Sequence, residues 1–133
     1  MIKKAIIVLF VFVISCTNNK ILKHPLDNSE SKTLILDNGL KVYLLSDPNF
    51  NMSAASVAVE VGSLDNPEER QGLAHFLEHM LFLGTEKYPD VDEYSSYLKT
   101  NGGYSNAYTA SDHTNYQFQV LPDGFEGALD RFS

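Results

Sequence analysis

Apolar and polar residues alternate with a period of two in several short blocks of this chain and with a helical period in others. Thr33 to Leu36 and Lys41 to Leu45 alternate around Asp37-Asn38-Gly39. That pattern predicts a hairpin, because an Asn-Gly pair accepts the positive φ of a tight turn. Ser53 to Gly62 predicts a third strand, with Ala55, Val57, Val59 and Val61 on one face and Ser56, Ala58 and Glu60 on the other. Asn66-Pro67-Glu68-Glu69 combines an N-cap residue, a proline suited to the first helical position and early acids, so a helix is expected to start there. Val91 to Thr100 reads as a second helix, broken by Asn101-Gly102-Gly103. Tyr104 to Ala110 and Thr114 to Leu121 follow as strands joined by Ser111-Asp112-His113. Phe125, Ala128, Leu129 and Phe132 fall at helical spacing after Pro122-Asp123-Gly124. The order β-β-β-α-α-β-β-α predicts an α+β fold, a mostly antiparallel sheet with helices packed on one face. No internal repeat is visible.

The stretch Gly72 to Gly84 is almost wholly apolar, yet it contains His75-Phe76-Leu77-Glu78-His79. On a helix, His79 lies roughly 40° from His75 and Glu78 roughly 60° to the other side, so the three polar side chains share one face. A helix that is apolar nearly all round is normally buried. Burying a carboxylate and two imidazoles costs several kcal/mol each, about, unless something binds them. Zinc removes that cost. Imidazole nitrogens are good zinc ligands, and a catalytic site has three protein ligands with one position left for water, whose pKa the metal lowers to about 7. Glu78 is placed to serve as the general base rather than as a ligand. The pattern is the inverted form of His-Glu-x-x-His. It arises by chance in a chain of this length with a probability of roughly half a per cent.

From Gly62 to Ser133 the chain resembles the pitrilysin and insulin-degrading-enzyme (insulinase) family of zinc metallopeptidases. The resemblance runs through Gly62-Ser63, Gly72 to Thr85, Tyr88-Pro89, Ser105-Asn106-Ala107, His113-Thr114-Asn115-Tyr116 and Gly127 to Phe132. It implies that His75 and His79 bind Zn2+ and that Glu78 is the catalytic base. It also implies a third ligand, a glutamate on a later helix, which is expected beyond Ser133. Glu86, Glu93, Asp112 and His113 are the nearby acids and histidine, and none matches that position. Ser105, Asn106 and Ala107 match the exposed strand edge where a peptide or unfolded polypeptide substrate adds as another strand. The chain accordingly reads as the N-terminal portion of a longer protease.

Other residues carry less. Tyr104, Tyr108 and Tyr116 read as core or cross-strand partners, and His113 either orients the site or closes a turn. His24 has no partner spacing. The acids Glu86, Asp90, Asp92 and Glu93 lack the glycine-containing loop of a calcium site and read as a solvated helix start.

Lys3 and Lys4 precede an apolar run from Ala5 to Ile14, too short to span a bilayer but suited to a secretory signal. Val13-Ile14-Ser15-Cys16 resembles a bacterial lipobox. Residues 1–15 are thus expected to be a lipoprotein signal peptide, and Cys16 the lipidated first residue of a membrane-anchored protein on the periplasmic or cell-surface side. Cys16 is the only cysteine, so no intrachain disulfide forms. Residues 16–32 read as a flexible tether, and 33–133 as a partial peptidase domain. Losing residues 1–15 removes two lysines and moves the net charge from −7 to −9, which argues against nucleic acid as a partner. A second function fits the same residues: a lipoprotein fragment that binds zinc weakly, or peptide, without hydrolysis.

Overall fold

The computed structural model describes residues 23–133, so the expectations for the signal segment, Cys16 and the start of the tether lie outside the described residues. Strands β1 (Glu30–Ile35) and β2 (Lys41–Ser46) form an antiparallel hairpin in which Thr33 faces Tyr43. Gly39 takes φ 86° in its turn, where the Leu40 N–H donates to Asn38 Oδ1 at 3.0 Å. β1 starts at Glu30, before the predicted Thr33.

Strands β3 (Ser53–Val59), β4 (Tyr104–Thr109) and β5 (Thr114–Val120) form a second antiparallel sheet in the order β3-β5-β4. The hairpin is a separate two-stranded sheet, so the single sheet implied by the element order is divided in two. Register places Val59, Thr114 and Thr109 in one row and Ala55, Phe118 and Ser105 in another, all on the face that the helices cover. On the opposite face Ser56 Oγ donates to Asn115 Oδ1 at 2.8 Å.

Three helices follow the predicted order: α1 (Leu73–Met80), α2 (Glu93–Thr100) and α3 (Phe125–Phe132). The first begins later than expected. Pro67 opens a turn, closed by the Arg70 N–H donating to the Pro67 carbonyl at 2.9 Å, and the helix waits until Leu73. Asn66 still caps it, but from a distance, with Oδ1 accepting the Ala74 N–H at 2.9 Å. An early amide of α1 is thereby satisfied by a residue outside the helix.

The end of α2 is a Schellman motif. Gly103 N–H donates to the Leu98 carbonyl at 2.7 Å and Gly102 N–H to the Lys99 carbonyl at 3.1 Å, with Gly102 at φ 70°. Gly103 then enters β4 so close to β5 that a Cβ would sit 2.1 Å from the Gln119 carbonyl oxygen.

The core lies where α2 and α3 cover the sheet. Leu98, Phe118, Val120 and Ala128 are buried, and Phe118 meets Phe132 edge-on at 5.1 Å. Arg131 ties the two helices together: its guanidinium lies 3.9 Å from the Tyr97 ring centroid and its Nη2 is 2.7 Å from Glu93 Oε1. By contrast α1 is not the buried helix its composition predicts. Phe76 is 62% exposed and Leu77 53%, and only Glu78 is buried, because the sheet covers α1 on one side alone.

Tyr94 is buried with a hydroxyl that finds no hydrogen-bond partner among the described residues. Burial pushes its phenol up to about 12, with the nearby Ser105 hydroxyl opposing the shift without completing a bond. Folding therefore favours the protonated phenol. Its contribution to stability is complete below the ordinary value of 10.0 and is lost as pH rises toward about 12.

Gly103→Ala is expected to destabilise by about 1–3 kcal/mol, read as a lower urea midpoint, because backbone must move to admit the methyl. Tyr94→Phe is expected to raise neutral stability by about 1 kcal/mol, since a buried unpaired hydroxyl disappears. It should also lose less stability than the parent between pH 7 and roughly pH 11; equal alkaline losses would contradict the assignment.

Candidate metal centre

Helix α1 brings His75, Glu78 and His79 together, with one potential ligand atom from each lying within 4.8 Å of the others. The two imidazole Nε2 atoms are 3.0 Å apart and their ring centroids 4.7 Å. Tetrahedral coordination with Zn–N distances of about 2.0–2.1 Å separates two ligand nitrogens by about 3.3 Å. The pair thus fits a shared divalent cation with little adjustment. Both imidazoles are exposed, while Glu78 is 6% exposed and turned toward the sheet. One helix face therefore offers two nitrogen donors to the solvent side and an oxygen base on the protein side.

Strand β4 holds that base. Thr109 Oγ1 donates to Glu78 Oε2 at 2.6 Å. Thr109 pairs across the sheet with Thr114, whose own hydroxyl donates to the Val61 carbonyl at 2.8 Å. Tyr116, one inward position further along β5, has its phenol pushed up by burial and then by the Glu78 charge.

The residues expected at a substrate edge have divided orientations. β4 is an edge strand among the described residues; Ser105 and Ala107 are half-buried on the helix-covered face, and Asn106 points outward. Ser105 and Ala107 thus lie beneath the helices, and what the edge presents is main chain. The alternative ligands do not converge on the histidines. Glu93 is engaged by Arg131, and His113 Nδ1 lies 2.7 Å from Asp112 Oδ1. Among the described residues neither those two groups nor Glu86 joins the His75, Glu78, His79 cluster. The acids Asp90, Asp92 and Glu93 form no metal-like group there either.

Thr109 is the site residue that sequence reasoning overlooked. The signal was available in the strand alternation, since Thr109 shares a face with Ser105 and Ala107. Only tertiary structure shows that this face meets Glu78.

An inverted His-x-x-Glu-His helix laid against the edge of a small antiparallel sheet is the arrangement of a metallopeptidase class, with a cluster that could hold a metal ion. The model of the insulinase family, peptidase family M16, matches residues 41–133. The chain is 52% identical over 115 residues to insulin-degrading enzyme from Homo sapiens, covering 86% of this chain and 11% of that protein. It is 54% identical over 114 residues to the peroxisomal insulin-degrading enzyme-like 1 of Arabidopsis thaliana, covering 86% of this chain and 12% of that one. Among solved structures, that of pitrilysin superposes with a TM-score of 0.79 at 45% identity, over 86% of this chain and 12% of its own. A protease from Helicobacter pylori superposes with a TM-score of 0.70 at 30% identity, over 77% of this chain and 25% of its own. The chain belongs to the insulinase family of zinc metallopeptidases. It spans 11–12% of the length of these curated relatives.

His75→Ala and His79→Ala are each expected to weaken zinc binding at least about tenfold, measured by competition with a chromophoric chelator, with helix content unchanged by circular dichroism. Zinc binding indifferent to both substitutions would exclude this centre.

Proposed function

We propose that this chain carries the metal-binding and base-bearing portion of a zinc metalloendopeptidase acting on peptides or unfolded polypeptides. The observation that carries the reading is the convergence of two exposed imidazoles and one buried carboxylate on a single face of α1. His75 and His79 would hold Zn2+ through Nε2, whose positions 3.0 Å apart suit a shared ion. When bound, the ion supplies Lewis acidity that brings a coordinated water's pKa near 7. Glu78 would take a proton from the attacking water at a carboxylate oxygen and return it to the leaving amine. The edge of β4 at Ser105, Asn106 and Ala107 receives the substrate as an added strand, through main-chain hydrogen bonds that take many sequences. The third ligand belongs to a segment beyond Ser133.

The same proposal takes residues 1–15 as a lipoprotein signal, Cys16 as the lipidated residue, 16–32 as tether and 33–133 as a partial peptidase domain. The protein is then a bacterial lipoprotein that meets its substrates at the periplasmic or cell-surface side of a membrane.

One observation favours a second reading. Among the described residues only two imidazoles and one carboxylate, already hydrogen-bonded to Thr109, lie at the centre. On that reading the chain binds zinc weakly, or peptide, without cleaving it.

Zinc stoichiometry and cleavage of an unstructured peptide, measured together on the protein carrying the third ligand and on its Glu78→Gln variant, separate the two. The enzyme reading expects zinc retained by both and cleavage lowered about 10²–10⁴-fold by the substitution. Zinc retained with no cleavage by either chain points to the second reading.

A further inference from the structure

Glu78 stands one residue before a ligand, on the ligand face, with an oxygen within 4.8 Å of both imidazole nitrogens. Carboxylate oxygens bind zinc at about 2.0–2.2 Å, and two histidines with one glutamate make a complete catalytic ligand set. A side chain with three rotatable bonds so near the two nitrogens would coordinate an ion held between them unless something restrained it. A coordinated Glu78 could not serve as a base.

We propose that Thr109 is a positioning residue that holds Glu78 out of the metal's ligand sphere. This rests on the metal reading given above and adds a specific restraint to it. The Thr109 hydroxyl has a single proton, and it is committed to Glu78 Oε2 at 2.6 Å, within the range of a strong bond to a charged acceptor. Thr114, its cross-strand partner, gives its own proton to the Val61 carbonyl and so leaves that of Thr109 free for the glutamate. Its hydroxyl lies 3.5 Å from that of Thr109, at the outer limit of a hydrogen bond. Both threonines are β-branched and stiff at χ1, on neighbouring strands of one sheet. The restraint is therefore anchored in the sheet and acts on the helix. It points the carboxylate away from the imidazoles toward the strand, where Glu78 is 6% exposed.

Replacing the hydroxyl by a methyl of the same shape releases the glutamate. In the full chain, held in detergent micelles, Thr109→Val is expected to bind zinc about tenfold or more tightly in chelator competition, because Glu78 joins the two imidazoles. Adding Glu78→Gln to that variant should return the affinity to the parent value, and Thr109→Ser, which keeps the donor, should match the parent. Glu78→Gln alone should leave zinc affinity unchanged. A folded Thr109→Val chain with parental affinity overturns the proposal, as does a tenfold loss in Glu78→Gln alone, which would make Glu78 a ligand already. The Glu78→Gln and Thr109→Ser chains decide the matter if the valine variant does not fold. Zinc binding that never depends on His75 overturns the metal reading and this one with it.

Discussion

Strand β5 is hydrogen-bonded along both edges, to β3 on one side and β4 on the other, and the functional elements take their positions from it. Its inward residues Phe118 and Val120 are buried beneath α2 and α3. Its first residue, Thr114, is buried too, and its hydroxyl ties the sheet to the chain at Val61. Because β4 pairs with β5 on one side only, its other edge is free among the described residues. The same pairing that builds the core therefore leaves one strand edge for another strand to join, and points Thr109 at the helix.

The division of labour on α1 follows from how that helix is covered. The sheet lies against a single side, so the three polar residues face different surroundings although they share a helix face. His75 and His79 look outward, where a cation and a peptide can reach them. Glu78 looks inward, where the Thr109 hydroxyl meets its charge. A charged group taken out of water is tolerated only with such a partner. One turn of helix thus sets two imidazoles and a carboxylate apart by environment rather than by sequence distance.

Much of this arrangement was legible in the residues. The alternation in Ser53 to Gly62 and Thr114 to Leu121 located both outer and middle strands to within a few positions. The spacing of His75, Glu78 and His79 predicted a shared helix face, and their potential ligand atoms do converge. Three features were not legible, each for a physical reason. Local capping chemistry at Asn66 and Pro67 suits a helix start, but the asparagine is used across a loop to cap a helix that begins at Leu73. The apolar character of α1 predicted burial, whereas Leu73, Phe76, Leu77 and Met80 remain exposed because the described residues place cover on one side only. Thr109 looks like an ordinary strand residue, since nothing local reveals which side chain lies opposite it in space.

Central to the proposed chemistry are the two imidazoles of α1 as the protein's ligands to the ion, with Glu78 beside it. X-ray absorption at the zinc edge of the zinc-loaded chain tests this most directly. The spectrum should show the multiple scattering of two imidazole rings at about 2.0–2.1 Å, with oxygen filling the remaining positions. Sulfur scattering at about 2.3 Å, which only Cys16 or a methionine could supply, or a shell without imidazole, would contradict it.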